Sequence, residues 1–106
     1  MKPCIAYITT KNKQEAKKLG KLLVEKNIVA CINIFNNINS IYSWEGKIMD
    51  EKETVIIAKT RESNTEKLVR FVKENHSYTC PCVIIVPIVN GNPEYLDWII
   101  QETHLH

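Results

Sequence analysis

The stretch "SIYSWEGKI" (Ser40–Ile48) decides how this chain folds. It is a β-rich run broken by Glu45-Gly46, and glycine supplies the positive φ that a tight hairpin turn needs. The turn therefore joins two antiparallel strands. Behind it, "KIMDEKETVIIAKT" (Lys47–Thr60) is polar in its first half and apolar in its second. That asymmetry predicts a long hairpin with a solvated tip and a buried base. Ahead of it, "IVACINIF" (Ile28–Phe35) has strand character, and "NNIN" (Asn36–Asn39) is expected to interrupt the strand before "SIYSW" resumes it.

Outward from the hairpin the period changes on both sides. "CIAYITT" (Cys4–Thr10) is a short buried strand. In "KNKQEAKKLGKLLVEKN" (Lys11–Asn27), Ala16, Leu19, Leu22 and Leu23 share one helical face, with Asn12 as the N-cap. Gly20 costs that helix up to about 1 kcal/mol against alanine, which points to close packing on a sheet. "SNTEKLVRFVKEN" (Ser63–Asn75) is a second helix with Leu68, Phe71 and Val72 inward. Ser63 and Glu66 have the spacing of a capping box. "PCVIIVPIV" (Pro81–Val89) is apolar on both faces and is expected to be a central strand. "NGNPEYLDWIIQETH" (Asn90–His104) is a third helix, capped by Asn92 with Pro93 at its first position.

The order β-α-β-β-α-β plus a C-terminal helix predicts one α+β domain over residues 1–106, a ferredoxin-like (split βαβ) sandwich with a long β2-β3 hairpin. Two helices cover one sheet face. The other face keeps apolar residues that the same chain does not cover, so a homo-oligomer is expected.

The chain has 106 residues, 44% of them apolar, enough for a core without disulfides. Fourteen basic against 12 acidic residues give a formal charge of +2, no electrostatic footprint for nucleic acid. No apolar run reaches the ~20 residues of a membrane span. "MKPCIAYITT" lacks the pattern of a signal peptide, so a cytoplasmic protein with reduced Cys4, Cys31, Cys80 and Cys82 is expected. No phosphate loop or nucleophile motif is present, so neither an enzyme nor an organic cofactor is indicated.

"ACIN" (Ala30–Asn33), "SIYSWEGKI", "AKT" (Ala58–Thr60), "HSYTCP" (His76–Pro81) and "GNPEYLDW" (Gly91–Trp98) resemble the CutA family of divalent-cation-tolerance proteins, in order and spacing over nearly the whole chain. The resemblance implies a ferredoxin-like protomer assembled as a tight homotrimer, architecturally similar to the PII signalling proteins. It also implies a role in tolerance of, or response to, copper and other divalent cations. The family's proposed copper ligands are a first-strand cysteine and a histidine pair. Here those positions read Thr9 and Asn75–His76, so only His76 carries over. The family's "PYxxPE" ends in glutamate, and here that position is Cys82.

His76, Cys80 and Cys82 are therefore the candidate metal ligands. In an extended segment the two cysteines lie on one side, roughly 6.5 Å apart. That suits a shared soft metal such as Cu(I) or Zn(II) better than a disulfide. The alternative reading is two structural cysteines and a histidine that ends a helix. Cys31, Glu53, Lys59, Tyr78 and Trp44 are candidates for lining an intersubunit cleft that takes a small ligand. Cys31 is equally readable as a small buried hydrophobe, and Trp44 and Tyr78 as interface aromatics. Lys59 follows "TVIIA" and is expected to pair with a carboxylate or bind an anion. His104 and His106 read as a frayed tail that binds metal only in vitro. A structural trimeric scaffold is the remaining function class.

Overall fold

A computed structural model describes residues 2–105. The elements are β1 (Pro3–Thr10), α1 (Lys13–Glu25), β2 (Cys31–Trp44), β3 (Lys47–Arg61), a 3-10 turn (Glu62–Asn64), α2 (Thr65–Asn75), β4 (Val83–Pro87) and α3 (Pro93–Glu102). The four strands form one antiparallel sheet in the order β2-β3-β1-β4. This is a mixed α/β protein, and the hairpin stretches it to 44 × 26 × 21 Å.

Strand alternation sorts the two faces. Ala6 and Ile8 of β1 and Ile56 and Ala58 of β3 point to one side. There they meet Ala16, Leu19 and Leu23 of α1 and Leu68 and Val72 of α2 in a single core cluster. The amphipathic spacing of both helices has its cause in this contact. Asn12 caps α1 as expected, its Oδ1 accepting the Glu15 N–H at 2.9 Å. Asn92 does the same for the Glu94 N–H of α3 at 3.2 Å.

Gly20 faces β2. A Cβ there would lie 2.0 Å from Cδ1 of Ile32, so only glycine fits without a shift. Gly20→Ala would gain about 1 kcal/mol of helix propensity and lose about 1–3 kcal/mol to overpacking. A net loss of about 1 kcal/mol in urea unfolding is expected, and more for Gly20→Val. An alanine variant as stable as the parent would mean that Ile32 simply swings aside.

Four expectations change. "NNIN" does not break β2. The strand runs on through a register shift between Phe35 and Ile38, with Asn37 at φ 57°. Asparagine tolerates the left-handed region, so Asn36 and Asn37 make a bulge rather than a stop. The Ser63/Glu66 capping box does not form. A 3-10 turn occupies Glu62–Asn64, and α2 starts at Thr65 without a side-chain cap.

The "PCVIIVPIV" strand is not central. β4 is the outer strand beside β1, with Val83 and Ile85 packed on the core and Ile84 and Val86 54% and 47% exposed. Apolarity on both faces does not by itself place a strand at the centre, and here the chain's core covers only one of the two faces. Nor is the second sheet face bare. Cys31 and Lys59 face each other across β2 and β3, and Tyr95 of α3 sits against both. α3 is held there by Arg61, whose Nε donates to Thr103 Oγ1 at 3.0 Å and whose guanidinium also reaches Ile100 O.

Glu45 and Gly46 make the predicted turn, both with positive φ (49° and 78°). That is the two-residue geometry whose twist matches the flanking strands. The distal hairpin leaves Ile41 69% and Ile48 76% exposed.

Candidate functional site

A cleft of about 580 Å³ opens on the sheet face opposite α1 and α2. β1 supplies Tyr7 and Thr9. The hairpin supplies Tyr42, Trp44, Glu51 and Glu53, and the connection from α2 to β4 supplies Tyr78, Cys80 and Cys82. Strand periodicity explains the grouping, because Glu51 and Glu53 are two residues apart and share a face. The cleft thus gathers five residues singled out from the sequence: Trp44, Glu53, Tyr78, Cys80 and Cys82. It leaves out His76, Cys31 and Lys59.

Each carboxylate in the cleft is braced by a phenol. Tyr78 Oη donates to Glu53 Oε2 at 2.9 Å, and Tyr42 Oη donates to Glu51 Oε1. Burial, and then the bond to Glu53, push the Tyr78 phenol far up. The bond to Glu51 and the nearby carboxylates push Tyr42 up to about 12. Both phenols therefore stay protonated at neutral pH and act as donors. Glu53 is only 7% exposed. No Lys or Arg is among the described residues that line the cleft, so its two carboxylates meet no basic side chain there.

His76 is spoken for. Its Nε2 donates to Thr9 O at 2.7 Å, and its Nδ1 accepts the Tyr78 N–H at 3.0 Å. Its ring also lies 4.7 Å from that of Tyr78, centroid to centroid. The histidine thus orients Tyr78, and neither ring nitrogen is left for a metal. Among the described residues no group of three His, Cys, Asp or Glu side chains converges as a metal site. The expected His76–Cys80–Cys82 trio is therefore not assembled within one protomer. Cys80 is exposed and Cys82 half-buried, and both are free thiols. Burial first, and the Glu53 charge second, push the Cys82 thiol up against an opposing hydrogen bond to Thr9.

Cys31 and Lys59 form a separate group near α3. Lys59 Nζ donates to Asn33 Oδ1 at 2.6 Å and to Cys31 Sγ at 3.4 Å, and lies 5.7 Å from the centre of the Tyr95 ring. Partial burial opposes its charge, but the bonds to Cys31 and Tyr95 outweigh it and raise its pKa. The carboxylate partner expected for Lys59 is replaced by an amide, a thiol and an aromatic face. Cys31 is half-buried, and Tyr95 Oη stands 3.5 Å from its sulfur. His104 is exposed, and His106 lies outside the described residues.

Sequence reasoning missed Glu51 and Asn33, and it did not place Tyr95 beside Cys31 and Lys59. The period-two spacing to Glu53 was signal enough for Glu51. Tyr95 reaches Cys31 over 64 residues, and no local pattern carries that.

Comparison with known proteins places this geometry. The chloroplastic CutA protein of Arabidopsis thaliana is 40% identical over 99 residues, which cover 93% of this chain and 54% of that one. The divalent-cation tolerance protein CutA of Thermus thermophilus is 37% identical over 93% of this chain and 96% of its own. The chain thus spans about half the length of the plant relative and nearly all of the bacterial one. The crystal structure of CutA1 from Oryza sativa superposes with a TM-score of 0.95 at 39% identity, over 98% of this chain and 95% of that one. The sequence pattern described as CutA1 divalent ion tolerance protein matches residues 4–102, from the first strand to the end of α3. With that match running through every element that builds the cleft, the chain belongs to the CutA1 divalent ion tolerance family.

Proposed function

We propose that this protein is a cytoplasmic homotrimer of ferredoxin-like protomers that serves divalent-cation tolerance by binding soft metal ions weakly, copper among them, without catalysing a reaction. Family membership carries the reading, since relatives such as the Thermus thermophilus protein are named for divalent-cation tolerance. The sheet order β2-β3-β1-β4 supports the ferredoxin-like description. The exposed apolar pair on β4 supports assembly. Four free cysteines are what a reducing compartment maintains. Among the described residues no helix is long and apolar enough to cross a membrane.

The thiols of Cys80 and Cys82 are the donors in this reading, because soft sulfur ligands select Cu(I) and Zn(II). Two thiols make weak binding, in keeping with the missing three-donor cluster. Titration of the reduced protein with Cu(I) and Zn(II) against a competing chelator tests this. Cys80→Ser/Cys82→Ser is expected to weaken binding at least ten-fold, and His76→Ala to leave it within about two-fold. Equal binding by the parent and the double-serine variant would remove metal binding at these thiols.

A second reading has its own observation. Glu53 is a nearly buried carboxylate at the wall of an open cleft, which favours a regulatory, PII-like trimer that takes a small ligand there.

A further inference from the structure

We propose that Asn90 is a site of spontaneous covalent modification, where the chain converts its own side-chain amide to a carboxylate through a cyclic imide with Gly91. The proposal rests neither on metal binding nor on the cleft.

Asn90 lies in the irregular connection from β4 to α3. It is the one asparagine of this chain that a glycine follows. Attack on an asparagine amide comes from the backbone nitrogen of the next residue, and a side chain on that residue crowds it. Glycine has none. The Gly91 N–H donates to Asn90 Oδ1 at 2.9 Å, not to a strand or a helix. That bond holds the attacking nitrogen beside the amide carbon, and such proximity is what a ring closure needs. No described residue binds Asn90 Nδ2, the leaving group.

Neither backbone nor packing requires glycine here. The Gly91 φ is not positive, and an added Cβ would meet the Leu96 side chain at 3.5 Å, an ordinary contact. Other asparagines are placed differently. Asn39 and Asn75 give their Nδ2 to Asp50 Oδ1 at 2.6 Å and to Phe71 O at 2.8 Å. Asn92 precedes Pro93, whose nitrogen carries no proton to lose.

The reaction balances without oxidant or cofactor. Hydroxide takes the Gly91 amide proton. The nitrogen bonds to Asn90 Cγ, the Cγ–Nδ2 bond breaks, and ammonia leaves with a proton from water, which restores the hydroxide. Water then opens the imide on one of two sides. Opening at Cγ gives aspartate. Opening at the main-chain carbonyl gives isoaspartate, in which the backbone runs through Cγ and is one carbon longer. That carbon enters two residues before the α3 cap, where Asn92 Oδ1 accepts the Glu94 N–H.

Incubation of the reduced, assembled protein at physiological temperature, followed by peptide mass mapping, tests this. A mass gain equal to the exchange of NH for O is expected at Asn90. It should be at least ten-fold faster than at any other asparagine, and faster as pH rises. Methyl transfer by an isoaspartyl methyltransferase should report the isoaspartate. Gly91→Ala should slow the change at least ten-fold with melting and assembly unchanged. Asn90→Gln, which needs a larger ring, should slow it as much. The isoaspartyl fraction should melt below Asn90→Asp, which carries the same charge without the extra carbon. Three results would each overturn the proposal. One is an Asn90 that stays unmodified in the assembled protein while the urea-unfolded chain is modified there. Another is modification of Gly91→Ala as fast as the parent. The last is faster modification at another asparagine.

Discussion

Asn64→Ala is expected to lower stability by about 1–3 kcal/mol, although Asn64 touches neither the cleft nor the exposed apolar patch. The residue is 3% exposed. Its Nδ2 donates to Thr103 O at 2.9 Å and to Ile28 O at 3.3 Å. One side chain thus ties the start of α2 to the end of α3 and to the loop before β2. Its loss leaves Thr103 O short of a donor, at a cost of about 1–3 kcal/mol, while Ile28 O keeps the Thr60 hydroxyl, which donates to it at 2.6 Å. At about 4–8 °C per kcal/mol for a chain of this size, the midpoint should fall by about 5–20 °C. Comparison at fixed protein concentration is required, because assembly adds to apparent stability. Thr65→Ala is the control. Its Oγ1 donates to Glu62 O at 2.8 Å on the exposed surface, and the expected cost is below about 1 kcal/mol. Equal midpoints for parent and Asn64→Ala would mean that α3 is not held through this amide.

The second large effect concerns β4. On the trimer proposed above, Ile84→Lys with Val86→Lys should yield a folded monomer, and the parent a particle of three times that mass. Both positions point away from the core and are about half exposed, so the protomer loses little by the change. Two ammonium groups placed within an apolar contact, on an edge strand, are a device natural sheets use to prevent association. Far-ultraviolet circular dichroism should be unchanged while the mass falls three-fold. A double-lysine variant that remains trimeric would place the interface elsewhere, with the still more exposed hairpin residues Ile41 and Ile48 as the next candidates. A parent that is itself monomeric would end the argument from exposed apolar surface altogether.

The two variants separate what local pattern can and cannot reveal. The caps Asn12 and Asn92 and the Glu45-Gly46 turn were legible because each depends on residues close together in the chain, and the buried base of the hairpin and the close approach at Gly20 because composition alone signals them. Asn64 was not. Its sequence setting reads as the inside of a capping box, yet the folded chain uses its amide across 36 and 39 residues. Similarly, "NNIN" has the composition of a break, and only pairing with β3 carries the strand across it as a bulge.

The candidate site divides in the same way. Sequence spacing put Glu53, Tyr78, Cys80, Cys82 and Trp44 in view, and the family motifs gave the chain its class. Only the tertiary structure decided that His76 spends both ring nitrogens on Thr9 and Tyr78, and that Lys59 bonds Asn33 and Cys31 instead of a carboxylate. A side chain's chemistry is written in its residue type, but its availability depends on which groups the fold brings within hydrogen-bonding distance. The order of elements and the sorting of sheet faces follow from local periodicity and can be read along the chain. The place of β4 at the edge, the seat of α3 and the pairing of phenols with carboxylates in the cleft rest on contacts between residues far apart in sequence, and they emerge only when the chain is folded.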